Sequence, residues 1–182
     1  MHLLFYIIPV FLVLLITAIA VIISKTSGKW TGITIRHFNF SLQTVWDYIS
    51  DIEGIPQRDK SVSRLVPLEK LNGHLIKWKE YLSSGGYRVF EKKEIPYQYF
   101  EKVLTESSSG ITGSWIFTIT GGEQGCVVTI KEISTVSNSM TKLWLVITGR
   151  DLYLRTEMKR IQHFVSLTSS PLIFSPGEEN KS

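Results

Sequence analysis

The hydrophobic pattern changes period along the chain, and each change marks an element. From Leu3 to Ile23 (LLFYIIPVFLVLLITAIAVII) nearly every position is apolar and none is charged. About 20 such residues cross the hydrocarbon core of a bilayer as a helix. Pro9 marks a kink or a later helical start, which membrane helices tolerate. Ala18-Ile19-Ala20 resembles a small-residue cleavage site, so a signal peptide is the rival reading. Against it, no Lys or Arg precedes the run, and the apolar stretch continues past Ala20. A retained anchor over residues 1–24 is therefore expected. Lys25, Lys29 and Arg36 come after it, and the positive-inside rule then puts the soluble domain of this single-pass protein in the cytoplasm.

Residues 25–29 form a short polar linker, and a soluble domain is expected over 30–167. TGITIRHF (Thr31 to Phe38) alternates as a strand does. In SLQTVWDYISDIEGIP, Ser41 can cap a helix whose apolar face carries Leu42, Val45, Trp46, Ile49 and Ile52 at three- and four-residue spacing. Gly54 and Pro56 end it, and one more helical turn is possible from Pro56 to Lys60. From Ser61 the period becomes two. SVSRLVPLEKL, HLIKWKEYL, GYRVFEKKEI, QYFEKVLTE, SWIFTIT and CVVTIKEISTV read as successive strands, with SSSGITG as a loop and Gly121, Gly122 and Gly125 around a hairpin. From Ser139 to Leu167 the helical period returns through Met140, Leu143, Trp144, Ile147, Leu154, Met158, Ile161 and Val165. This predicts one long helix with a weak point at Gly149, about 29 residues and roughly 43 Å long. The polar tail over 168–182 is expected to be disordered. Strands in series with helices segregated to one face make an α+β domain, here a curved antiparallel sheet wrapped on a long C-terminal helix.

Composition narrows the function classes. The chain has 182 residues and a net charge of +4, from 20 Lys and Arg against 16 Asp and Glu. The basic residues are scattered and often sit beside Glu, so no nucleic-acid footprint is expected. The one cysteine, Cys126, reads as a small core hydrophobe, since nothing near it in sequence would lower its pKa. The four histidines are far apart, with no metal-ligand spacing. No phosphate-cradling or nucleophile-elbow motif occurs, and GGEQG joins two strands as a turn. No metal or cofactor is expected. Glu91, Glu94, Glu101 and Glu132 lie in strands, mostly beside Lys, and are expected on the outer face. Glu80 differs because it shares its face with Ile76, Trp78 and Leu82. It could be a raised-pKa carboxyl on an apolar wall, or a paired or wet residue near a strand end. The five tryptophans suit either core packing or the wall of an apolar cavity.

The strand TGITIRHF, the helix SLQTVWDYISDIEGIPQ, the strand series and the terminal helix GRDLYLRTEMKRIQHFVSL together resemble the START-like helix-grip superfamily, which includes polyketide cyclase/dehydrase-like proteins. Val45, Trp46, Ile49 and Asp51 match its V-W-x-x-[ILV]-x-D helix. The chain departs from it in having Gln57-Arg58-Asp59-Lys60 where many relatives place a Trp. The resemblance implies a cavity between sheet and long helix. With it, the expected wall residues are Trp78, Glu80, Trp115, Phe117, Leu143, Ile147 and Leu154. The expected function is a membrane-tethered binding module for a lipid or other hydrophobic small molecule. A regulatory protein with a filled cavity is one alternative. A cyclase- or hydrolase-type enzyme is the other, and it needs Glu80 facing a His or Tyr across a pocket.

Overall fold

The computed structural model describes residues 2–122 and 125–168. The N-terminal apolar run forms α1 (His2–Lys25). Its span Ile7–Lys25 is long and apolar enough to cross a membrane, and no described side chain in it is buried. β1 (Lys29–Phe38), α2 (Leu42–Ser50) and the single turn α3 (Ile55–Arg58) follow. Then come six strands: β2 (Val62–Leu71), β3 (His74–Leu82), β4 (Tyr87–Ile95), β5 (Tyr99–Ser107), β6 (Ile111–Gly122) and β7 (Gly125–Val136). The chain closes with α4 (Ser139–Thr148) and α5 (Leu152–Thr168). The expected disordered tail lies outside the described residues except for Thr168, as does the tip of the β6–β7 hairpin.

All seven strands join one antiparallel sheet in the order β1-β7-β6-β5-β4-β3-β2. Strand β1 returns to pair with the last strand, from Lys29 opposite Thr135 to Phe38 opposite Cys126. Register shifts between β2 and β3 and between β4 and β5 bend the far half of the sheet. One face of β7 (Cys126, Val128, Ile130, Glu132, Ser134, Val136) is buried throughout. This is the period-two pattern of a strand covered on one side only.

The cover consists of α2 and α5. The Ser41 hydroxyl accepts from the Thr44 amide at 3.2 Å and so caps α2. Its buried residues Val45, Trp46, Tyr48 and Ile49 face α5 and β6. Leu154, Met158, Ile161 and Val165 put one stripe of α5 into the same core.

Two expectations need correction. The single long helix is two helices, because Gly149 takes φ +88°, a conformation that stops a helix and is open to glycine almost alone. The stretch SSSGITG is not all loop. β6 starts at Ile111, clamped to Ser107, whose hydroxyl donates to the Ile111 carbonyl and accepts from its amide.

Candidate functional site

A cavity of about 440 Å³ lies between the inner face of the sheet and the helical cover. That volume falls within the range of sites for one drug-sized molecule. Its wall is apolar in part, from Ile49, Ile52, Phe100, Leu104, Ile111 and Val136. Two lining residues are exposed and mark where the space reaches the surface: Trp144 on α4 and Ser61 after α3.

A polar row crosses the sheet floor. Glu80 on β3 pairs across the strands with Arg88 on β4, and their side chains meet at 2.9 Å. The Trp78 indole donates to the other Glu80 oxygen at 3.0 Å. Further along, Lys102 on β5, Trp115 on β6 and Glu132 on β7 are in direct register, so all three point to the same side. Glu132 accepts a hydrogen bond from Ser134 at 2.8 Å. Burial raises the Glu132 carboxyl pKa, and its Ser134 and Trp115 neighbours only partly offset this. The Trp115 contact is loose, since the Trp115 Nε1 and Glu132 Oε2 atoms are both buried without a well-formed partner.

Facing this row, α5 presents Tyr153, Thr156, Glu157 and Arg160, one helical stripe at three- and four-residue spacing. Burial, reinforced by the Glu157 charge, raises the Tyr153 phenol pKa, and the hydroxyl has no hydrogen-bond partner. Lys102 extends its ammonium between the two layers, 5.0 Å from the Phe90 ring centre and 5.7 Å from that of Tyr153. Burial lowers its pKa, opposed by the Glu80 and Glu157 charges.

The segment 57–60 lies at one end of the cavity, where Arg58 and Asp59 line it. Arg58 donates to the Tyr48 carbonyl at 2.7 Å and lies 4.3 Å over its ring. Asp59 binds Arg160 at 2.8 Å. Burial works against the Asp59 carboxylate, but hydrogen bonds from Ser61 and the Arg160 and Arg88 charges outweigh it and hold the pKa below its ordinary value. Charged pairs thus stand at this end of the cavity.

Of the seven expected wall residues, Glu80, Trp115 and Phe117 line the cavity. Trp78 lies behind the wall, stacked on Phe90. Leu154 packs into the core beside the cavity. Leu143 and Ile147 sit on α4, where no residue is buried, and Ile147 is 75% exposed. The helix break at Gly149 turns that face away from the sheet. Lys102, Arg88, Glu132 and Tyr153 were missed. For Lys102 and Glu132 a signal existed: each alternates with buried neighbours, Phe100 and Leu104 or Ile130 and Ser134. Glu132 is therefore an inner-face residue, not an outer one.

No family model matches the sequence, and no curated protein matches it. Solved structures do match the fold. A START superfamily protein from Mycobacterium smegmatis is 14% identical, with 76% of this chain and 99% of that one covered and a TM-score of 0.64. An aromatase/cyclase from Streptomyces sp. R1128 is 8% identical over 78% and 97%, with a TM-score of 0.61. Norcoclaurine synthase from Thalictrum flavum is 10% identical over 79% and 99%, with a TM-score of 0.57. The architecture is the helix-grip fold of these START-type structures. At such identities the likeness is one of fold, and function has to be argued from the site.

Proposed function

We propose that this protein is a membrane-tethered binding module that holds one lipid or other hydrophobic small molecule in the space between sheet and α5. The cavity carries this reading: about 440 Å³ with aliphatic and aromatic walls. The filled-cavity alternative needs that space to be absent.

The tether adds a second support. Arg150 donates to the Ser27 and Lys29 carbonyls, and the Val136 amide donates to the Gly28 carbonyl at 2.7 Å, so the linker after α1 is fixed to the domain. α4 packs on α1 and exposes Met140, Trp144, Val146 and Ile147. In a bilayer, α1 spans the membrane and α4 lies at its surface. Trp144 is then both a membrane contact and part of the cavity wall. A molecule partitioned into the membrane meets the cavity at high local concentration. Lys25 and Lys29, just after the apolar helix, support a cytoplasmic side for the domain by the positive-inside rule.

The test is photolabelling of the full chain in nanodiscs with a neutral diazirine-bearing fatty alcohol. The reading expects adducts on β5, β6 and α5 peptides that line the cavity. Adducts confined to α1 and α4 would refute it.

A second reading, a cyclase-type enzyme, is favoured by the placement of Glu80, Lys102 and Tyr153 around one space. It predicts that a bound molecule loses water during incubation with the wild-type chain and stays unchanged with Tyr153→Phe. Recovery of the bound molecule unaltered from both chains argues for carriage alone.

A further inference from the structure

The polar floor of the cavity has donors in surplus. Among the described residues, the Lys102 ammonium makes no hydrogen bond and no ion pair; it lies near the faces of two rings. Ring faces attract an ammonium, but they do not replace the acceptors its three N–H groups need. The Tyr153 hydroxyl, the Trp115 indole N–H and the Arg88 Nε–H are buried without partners. One acceptor in the same space, Glu132 Oε2, is unpartnered. Native interiors rarely leave several donors unmet in one place, and each such group asks for an explanation.

The charges point the same way. Glu80 is engaged by Arg88 and Trp78, and Glu157 and Asp59 by Arg160. That leaves Lys102 as the cation in the middle of the cavity without a direct ion pair among the described residues, although the Glu80 and Glu157 charges act on it from a distance. It stands in register beside Trp115 and across from Tyr153, two of the open donors. From that point Leu104, Ile111 and Val136 continue along the wall toward Trp144 and Leu145 of α4. The cavity is thus amphipathic, with open donors on its floor and the apolar side chains of Leu104, Ile111 and Val136 in the same lining.

Building on the cavity reading above, we propose that the occupant is an amphiphile whose anionic group, a carboxylate or a phosphate, sits between Lys102 and the Tyr153 hydroxyl while its apolar body lies along Leu104, Ile111 and Val136. A charge-assisted hydrogen bond to an ammonium, completed by a neutral hydroxyl, is the ordinary way to hold such a group in a partly dry site. The two lining carboxylates nearest the floor, Glu80 and Glu132, do not compete for it. Glu80 is already paired, and Glu132 is held by Ser134 through one oxygen while Trp115 neighbours its carboxyl.

The experiment is competition against the neutral diazirine probe on the full chain in nanodiscs. The competitors are dodecanoate, dodecyl phosphate, methyl dodecanoate and dodecanol. The proposal expects at least one anion to displace the cavity label about tenfold more effectively than the ester or the alcohol, and the better anion identifies the group. Lys102→Met keeps the length of the side chain but not its charge. It is expected to abolish the preference, so that acid, ester and alcohol displace the neutral probe equally. Tyr153→Phe, which removes only the hydroxyl, is expected to reduce the preference several-fold. Equal displacement by acid and ester in the wild type overturns the proposal but leaves the cavity reading standing. A preference unchanged in both variants overturns it as well. Absence of cavity labelling in the wild type defeats the cavity reading itself.

Discussion

Glu80 offers the sharpest mutational test, because its two roles separate in one substitution. Glu80→Gln keeps an oxygen for the Trp78 indole, 3.0 Å away, and removes the charge that faces Arg88 at 2.9 Å. The Glu80 side chain is 2% exposed, whereas that of Arg88 is 26% exposed. Removing one partner of a fully buried pair costs about 3–5 kcal/mol. Partial hydration of the stranded Arg88 brings this to about 2–3 kcal/mol, and Lys102, which loses the same counter-charge, keeps it from falling lower. The reverse substitution, Arg88→Met, should cost less, about 1–2 kcal/mol, since Lys102 remains as a cation for Glu80. Glu80→Met with Arg88→Met leaves neither charge stranded. It should come within about 1 kcal/mol of wild type, as replaced buried pairs commonly do. The assay is urea unfolding of the full chain in mild detergent, followed by tryptophan fluorescence and extrapolated linearly. An E80Q stability equal to wild type, or an R88M loss larger than that of E80Q, refutes the reasoning.

Other expectations concern single groups. Burial raises the Glu132 pKa, so the folded state is penalised as the pH climbs from the unfolded value through the folded one; below both values there is no penalty. Glu132→Gln, which keeps the Ser134 contact, should therefore raise the melting temperature at pH 8 and leave it unchanged at pH 4, and an equal effect at both pH values contradicts this. Ser41→Ala removes the α2 cap and should cost about 1 kcal/mol in the same urea assay, against Ser41→Gly at a few tenths. Gly149→Ala forces a Cβ into φ +88° and should cost about 1–3 kcal/mol; a gain in stability would mean that α4 and α5 prefer to fuse.

Much of the fold is legible in the sequence because strands such as β6 and β7 bury one face only. Alternation then finds β3 from His74 to Leu82 residue for residue, and the Ser41 cap fixes the start of α2. The α4–α5 junction is less legible. Met140, Leu143, Trp144 and Ile147 continue the apolar period of α5, but one glycine at positive φ breaks the rod. On α4 none of these four is buried, and of them Trp144 alone lines the cavity. Periodicity reports that a face is apolar; it does not report what covers it.

The site is legible only in part for a similar reason. A lysine or glutamate in a strand usually points to water, so Lys102 beside Glu101 and Glu132 beside Lys131 look like surface charges. Their register with Phe100, Leu104, Ile130 and Ser134 says otherwise. Only the paired strands show that Lys102, Trp115 and Glu132 form one row. Tyr153 joins them from a helix about 40–50 residues further on than β5, a proximity that no local pattern encodes. The Arg58–Asp59 pair is visible as a departure from the family pattern, but its place at the end of the cavity depends on Arg160 and Tyr48.

Native mass spectrometry of the full chain released from membranes of the cells that express it tests the central claim most directly. Thr156 lines the cavity from α5 and makes a suitable blocking position. The wild type should carry one lipid-sized adduct per chain, and Thr156→Trp should emerge bare. A bare wild type, or an adduct retained equally by the blocked variant, would show that the space between sheet and helix is not where this protein holds its cargo.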